Sequence, residues 1–129
     1  MAIKLRRGVD SRFAQLQRWA RDFSVPFTVT SATRTSAKQQ QLYEAWLARG
    51  KTGLPAAPPG TSTHEYGLAV DLVPGRSEDL PFLVEIAKCA GFVWAGQSDP
   101  VHFDVFGNAE WRRVLSGMGA SPASFGTGC

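Results

Sequence analysis

Two short segments constrain this chain more than any others. In VHFDVF (101–106) polar His102 and Asp104 alternate with apolar residues, and in GLAVDLVP (67–74) a single polar residue, Asp71, stands between Val70 and Leu72. That is the two-residue period of a strand with one face in a core and the other outside it. The alternation predicts Val70 and Leu72 inward with Asp71 outward. It also predicts Val101, Phe103 and Val105 inward, with His102, Asp104 and Phe106 outward. If the two strands pair, Asp71 and His102 rise from one sheet face.

The remaining chain alternates between helix and strand signals. Residues 10–23 carry Phe13, Leu16, Ala20 and Phe23 at helical spacing, with Asp10 or Ser11 as a cap and Pro26 beyond. PFTVTSATRT reads as a strand leaving the core at Thr33–Arg34. Ser36 can cap a second helix that turns Leu42, Ala45 and Trp46 inward and ends at Gly50. GKTGLPAAPPGT (50–61) is a Gly/Pro loop, 78–90 a third helix stopped by Gly91, and GFVWAG a short strand. A last helix, AEWRRVL, has Asn108 as its expected cap. The order predicts an α+β fold, a small mainly antiparallel sheet with helices packed on one face. One domain is expected over 1–115, with a flexible tail over 116–129.

Composition narrows the function classes. The 129 residues are 43% hydrophobic and 19% charged, the balance of a globular domain. The basic residues behind the net charge of +3 are scattered, which disfavours a nucleic-acid surface. No apolar run approaches the roughly 20 residues of a membrane span, and a monomer is expected. MAIKLRRGVDSRF lacks the apolar stretch of a secretory signal, so synthesis in a bacterial cytoplasm is expected. The two cysteines provide no disulfide framework: Cys89 reads as a small core residue and Cys129 as a free thiol.

The chain has only two histidines, His64 and His102. Each lies near a carboxylate, in THEYGLAVD and DPVHFD. A catalytic zinc site takes three protein ligands and leaves one position open, and His64, Asp71 and His102 supply such a set. His64 precedes Asp71 by seven residues, an odd spacing that puts the two on opposite faces of a plain strand. A turn is needed between them, and Gly67 suits it. A lone histidine is more often a surface or core residue than a ligand, so pattern alone leaves both readings open.

The segment Ser62–Asp71, STHEYGLAVD, resembles the S-x-H-x-x-G-x-A-x-D signature of VanY-like zinc D-alanyl-D-alanine carboxypeptidases and L-alanyl-D-glutamate endopeptidases, which share the hedgehog/DD-peptidase fold. Their D-x-x-H-[FV] signature is similar to Asp99–Phe103, and S-G-x-R-[ST] to Ser31–Thr35, with Ala32 in place of glycine. A Gln-rich helix, here Gln39 to Tyr43, follows the arginine in relatives too. The resemblance implies one Zn2+ on His64, Asp71 and His102. It implies Asp99 as the general base, although relatives often have glutamate there, and Arg34 as the cation that steadies the carbonyl oxygen or a substrate carboxylate. Asp104 is the rival base and otherwise an orienting group. Ser62, Tyr66 and Gln40 are further candidates for supporting the ligands or lining the groove. Glu65 follows a ligand but lies in no H-E-x-x-H helix, so that zincin pattern does not apply.

The resemblance further implies hydrolysis of peptidoglycan stem peptides. Cleavage of L-alanyl-D-glutamate by a phage or prophage lysin is the first expectation, and D-alanyl-D-alanine carboxypeptidase activity the alternative. A non-catalytic zinc-binding or virion assembly module on the same fold is the rival from another class. The enzyme is expected to reach the wall after release or within a phage-derived assembly. Imidazole ligands must be neutral, so zinc affinity is expected to weaken below the ordinary histidine pKa of about 6.5.

Overall fold

The computed structural model describes residues 4–117 of the 129. The expected tail from 118 onward, and Cys129, lie outside the described residues. Four strands form one antiparallel sheet: β1 (Phe27–Ser31), β2 (Ala69–Pro74), β3 (Val93–Trp94) and β4 (His102–Asp104), in the order β1-β2-β4-β3. The helices are α1 (Val9–Asp22), α2 (Ser36–Ala48), α3 (Leu80–Cys89) and α4 (Asn108–Leu115). The fold class is α+β as the element order predicts.

The alternation in β2 and β4 sets the layers. Val70 stands opposite Phe103 in the register, and both are fully buried. Leu72, Val105, and Phe13 and Leu16 from α1 join them with Leu83, Val84 and Ala87 from α3. Burying a large aliphatic or aromatic side chain contributes about 1.5–3 kcal/mol, so this face carries most of the hydrophobic stabilisation. The opposite face of the same two strands presents Asp71 directly across from His102, and Ala69 across from Asp104.

Several helix expectations are corrected. Helix α1 has Gly8 at its N-cap, not Asp10 or Ser11, which lie in its first turn; there Asp10 Oδ1 accepts from the Gly8 and Ser11 N–H groups. Phe23 is exposed because the helix stops at Asp22 and Ser24 turns the chain at a φ of 57°. Thr35, rather than Ser36, caps α2 by accepting from the Lys38 N–H at 3.1 Å. Helix α2 does not join the core: Ala45 is exposed, Leu42 and Trp46 are half-buried, and Gln39 is its one buried residue. Its apolar residues have too weak a helical bias to bury a stripe, and it instead walls a cleft on the other face of the sheet. Helices therefore do not all share one face. Helix α4 begins at Asn108, with Gly107 preceding it at a φ of 77°. Cys89 is half-buried rather than core, and no described cysteine is a free thiol.

Candidate metal centre

His64 reaches the sheet face from a one-turn 3-10 helix, Thr63–Tyr66, not from a strand. Ser62 Oγ accepts from the His64 N–H at 3.2 Å, and the Glu65 carboxylate accepts from the Ser62 N–H at 3.0 Å, a reciprocal cap on a very short helix. Glu65 also accepts from the Gly60 N–H, which ties the preceding loop to the same turn. Gly67 ends the turn in the left-handed region at a φ of 70°. A Cβ there would stand 2.8 Å from the Arg6 backbone nitrogen, so glycine is required both for the conformation and for the close approach. The odd spacing between His64 and Asp71 is resolved by this turn.

Three ligand atoms converge. His64 Nε2 lies 2.9 Å from Asp71 Oδ1 and 3.2 Å from His102 Nδ1, and His102 Nδ1 lies 3.4 Å from Asp71 Oδ1. Among the described residues these three form the one group able to hold a metal ion. Zinc bond lengths of about 2.0–2.1 Å place the ligands of a tetrahedral site roughly 3.3 Å apart, and these separations bracket that value. The outer nitrogens fix the tautomers. His64 Nδ1 donates to the Ala32 carbonyl at 2.7 Å, so Nε2 carries the lone pair. His102 Nε2 faces Asp104 Oδ2 at 2.8 Å and Thr63 Oγ1 at 3.3 Å, which leaves Nδ1 for the cluster. Two imidazole lone pairs, one of them on the buried His64, and a carboxylate oxygen pointed at one spot repel each other unless a cation or a proton lies between them. The donor set fits zinc.

The titration of the cluster reflects the same crowding. Burial disfavours charge on His102, but hydrogen bonds and charge from Asp104 and Asp71 outweigh it and hold the imidazole at about 9. Burial likewise opposes ionisation of Asp71 and Asp104, yet their histidine partners hold both below the ordinary aspartate value. Asp104 has no spare oxygen: Oδ1 accepts from the Phe106 and Gly107 N–H groups at 3.0 and 2.8 Å. Asp99 differs. It sits in the turn before β4, lines the same cleft and has no hydrogen bond to its side chain among the described residues. Burial pushes its carboxyl upward, and the nearby His102 charge opposes this only in part.

Arg34 leaves β1 beside the cluster. Its Nη2 donates to Asp71 Oδ2 at 2.8 Å, its Nε to Ser31 Oγ at 2.7 Å and its Nη1 to Gln39 Oε1 at 3.2 Å. Gln39 is fully buried and donates onward to the Ala57 carbonyl at 2.8 Å, so it braces the arginine against the Gly/Pro loop. Gln40, the glutamine singled out from the sequence, instead points away and donates to Glu44. Within the run Gln39–Gln41, composition does not distinguish the inward residue, and a helical phase anchored on Arg34 is the signal that would have. Tyr66 does not line this cleft either. Its hydroxyl donates to the Gly60 carbonyl, and its ring meets Trp111 edge-on at 5.3 Å. Pattern reading also missed Trp111, whose indole N–H donates to the Thr61 carbonyl and pins the loop over the cluster.

The cleft encloses about 600 Å³ between α2, the 54–63 loop and the turn carrying Asp99. A family model described as D-alanyl-D-alanine carboxypeptidase, VanY, matches residues 2–102. The chain is similar in structure to VanYB in complex with D-alanine-D-alanine, at 24% identity and a TM-score of 0.66, covering 92% of this chain and 80% of that one. It is also similar to a VanY D,D-pentapeptidase variant solved with Zn(II), at 23% identity and a TM-score of 0.66 over 92% and 82% of the two chains. The L-Ala D-Glu endopeptidase ChiX of Serratia marcescens aligns at 19% identity and a TM-score of 0.57, over 78% of this chain and 79% of that one. No match is found among curated protein sequences.

Proposed function

The chain belongs to the VanY family of D-alanyl-D-alanine carboxypeptidases, and we propose that it hydrolyses peptidoglycan stem peptides with one zinc ion held by His64, Asp71 and His102. Family membership makes it a peptidase of bacterial wall peptides. The observation that carries the metal assignment is the convergence of His64 Nε2, Asp71 Oδ1 and His102 Nδ1, each imidazole fixed from behind by an acceptor.

When bound, zinc supplies a lowered pKa for water and polarisation of the scissile carbonyl. Asp99 takes the attacking water's proton at its carboxylate and returns it to the leaving amine. Among the described residues its carboxylate accepts no hydrogen bond, and this together with its raised pKa supports the role. The three bonds that tie down Asp104 argue against it as the base. Asp104 instead orients His102. Arg34 orients Asp71 with one N–H, and the two of its five N–H groups that have no partner among the described residues are available to the carbonyl oxygen as charge develops. Ser62 acts through the cap that positions His64.

For the bond cut, we favour an internal one, L-alanyl-D-glutamate, with a phage-type lysin as the setting. The arginine beside the cluster is already paired with Asp71. Its charge is thus already matched, so a terminal carboxylate next to the scissile bond would rely on the two remaining N–H groups of Arg34 alone, whereas an internal bond needs no counter-charge there. The family description supports D-alanyl-D-alanine carboxypeptidase activity as the second reading. Mass spectrometry of products from purified peptidoglycan decides between them. New N-terminal D-glutamate means endopeptidase, free D-alanine means carboxypeptidase, and intact peptides from zinc-loaded protein overturn the hydrolytic reading.

A further inference from the structure

A second arginine in the cleft has a different environment from the first. Arg49 follows the last turn of α2 and lines the cleft with Leu42, Trp46 and Leu54. The turn beyond it folds back on its guanidinium: Nε donates to the Thr52 carbonyl at 3.2 Å and Nη2 to the Leu54 carbonyl at 3.4 Å. Thr52 Oγ1 returns a bond to the Arg49 carbonyl at 2.7 Å. Gly50, Lys51 and Gly53 all take positive φ in this turn, of 68°, 60° and 76°. The loop thus holds the guanidinium with neutral acceptors only. No carboxylate among the described residues pairs with it, whereas Arg34 is paired with Asp71. Arg49 is an exposed, braced cation with no carboxylate partner among the described residues, beside the apolar Leu42, Trp46 and Leu54, with Lys51 Nζ 5.8 Å from the Trp46 ring centroid.

Its place along the cleft follows from the helix. Gln39 braces Arg34 beside the metal cluster, and Arg49 is ten residues further on. At 1.5 Å per residue that is about 15 Å along α2, or roughly four to five residues of extended peptide at about 3.3 Å each. A planar guanidinium with free N–H groups is matched to a carboxylate, which it can bind through two parallel hydrogen bonds.

Building on the stem-peptide reading above, we propose that Arg49 is a specificity-determining residue that binds a carboxylate of the peptide substrate several residues from the scissile bond. For cleavage at L-alanyl-D-glutamate the chain terminus, about four residues away, meets this spacing, and the side-chain carboxyl of a diamino diacid, about two residues away at the end of a long side chain, is the nearer alternative. The test compares kcat/KM for four synthetic stem peptides: free, amidated at the C-terminus, amidated at the diacid side chain, and amidated at both. Wild-type enzyme and Arg49→Gln are assayed with zinc content measured in each. A hydrogen bond between charged groups predicts that wild type disfavours amidation at one of the two positions by about ten- to a hundredfold, and the position affected identifies the source. Arg49→Gln is expected to abolish that preference while keeping its zinc, and Arg49→Lys to retain part of it. Equal losses on all four peptides, or an undiminished preference in Arg49→Gln, would overturn the assignment. If zinc-loaded wild type cleaves none of the peptides, the hydrolytic reading fails separately. Calorimetric binding of the same peptides to both proteins then decides Arg49 by the same criterion.

Discussion

His102 is gripped by carboxylates on both sides, Asp71 toward the cluster and Asp104 behind it. Its pKa of about 9 means that in metal-free protein a proton occupies the place intended for a cation. Zinc must displace that proton, so its affinity should keep rising with pH until about 9, rather than levelling off above the ordinary histidine value near 6.5. The same shift sets the stability of the chelated protein. A raised histidine pKa contributes stability that is complete below about 6.5 and lost as pH climbs through about 9. The depressed Asp71 contributes stability present above the usual aspartate value of about 4 and lost in acid below it. The urea midpoint measured in chelator should therefore be highest between about pH 4 and 6.5 and decline toward pH 9. Asp104→Asn should retain the fold and weaken zinc binding about 10- to 100-fold, the cost of removing a carboxylate behind a ligand histidine. Competition with a chromophoric chelator measures it. Asp99→Ala should keep its zinc and lose about 10²- to 10⁴-fold in hydrolysis, read on purified wall peptides.

At the scale of elements, the turn after His64 joins the ligands most directly. Gly67→Ala would force a side chain into the left-handed region, at about 1–2 kcal/mol, and against the Arg6 backbone 2.8 Å away. The expected outcome is a lower urea midpoint together with weaker zinc binding, because the Thr63–Tyr66 turn carries His64. Strands β2 and β4 were legible because Asp71 interrupts one apolar run and His102 and Asp104 alternate with apolar residues in the other, and the two-residue period of a strand then fixes which side chains share a face. The facing of Asp71 and His102 follows from that pattern once the strands pair. Helix α2 was legible as a helix but not in its orientation. Its buried residue is a glutamine that serves the site, while Ala45 faces solvent, so a rule that turns apolar residues inward misassigns it. Gln39, Trp111 and Arg49 escaped because each acts on backbone carbonyls of the 52–61 loop, which only the tertiary structure brings beside them.

At the scale of the molecule, one sheet separates two functions. Its Val70–Phe103 face packs against α1 and α3, and its Asp71–His102 face builds the site. Replacing Phe103 by alanine should cost about 3–5 kcal/mol, measured by urea unfolding, because the ring is fully buried between those layers. Among the described residues the buried apolar side chains form one core cluster, and no described helix is long and apolar enough to cross a membrane. The central claim is that His64, Asp71 and His102 hold the metal on which hydrolysis depends. Elemental analysis of protein purified without added metal tests it most directly, alongside His64→Ala and His102→Ala. The account predicts about one zinc per chain in the natural protein, by the three-ligand logic of such sites, and its loss in both variants. Stoichiometric zinc retained in both variants would contradict it.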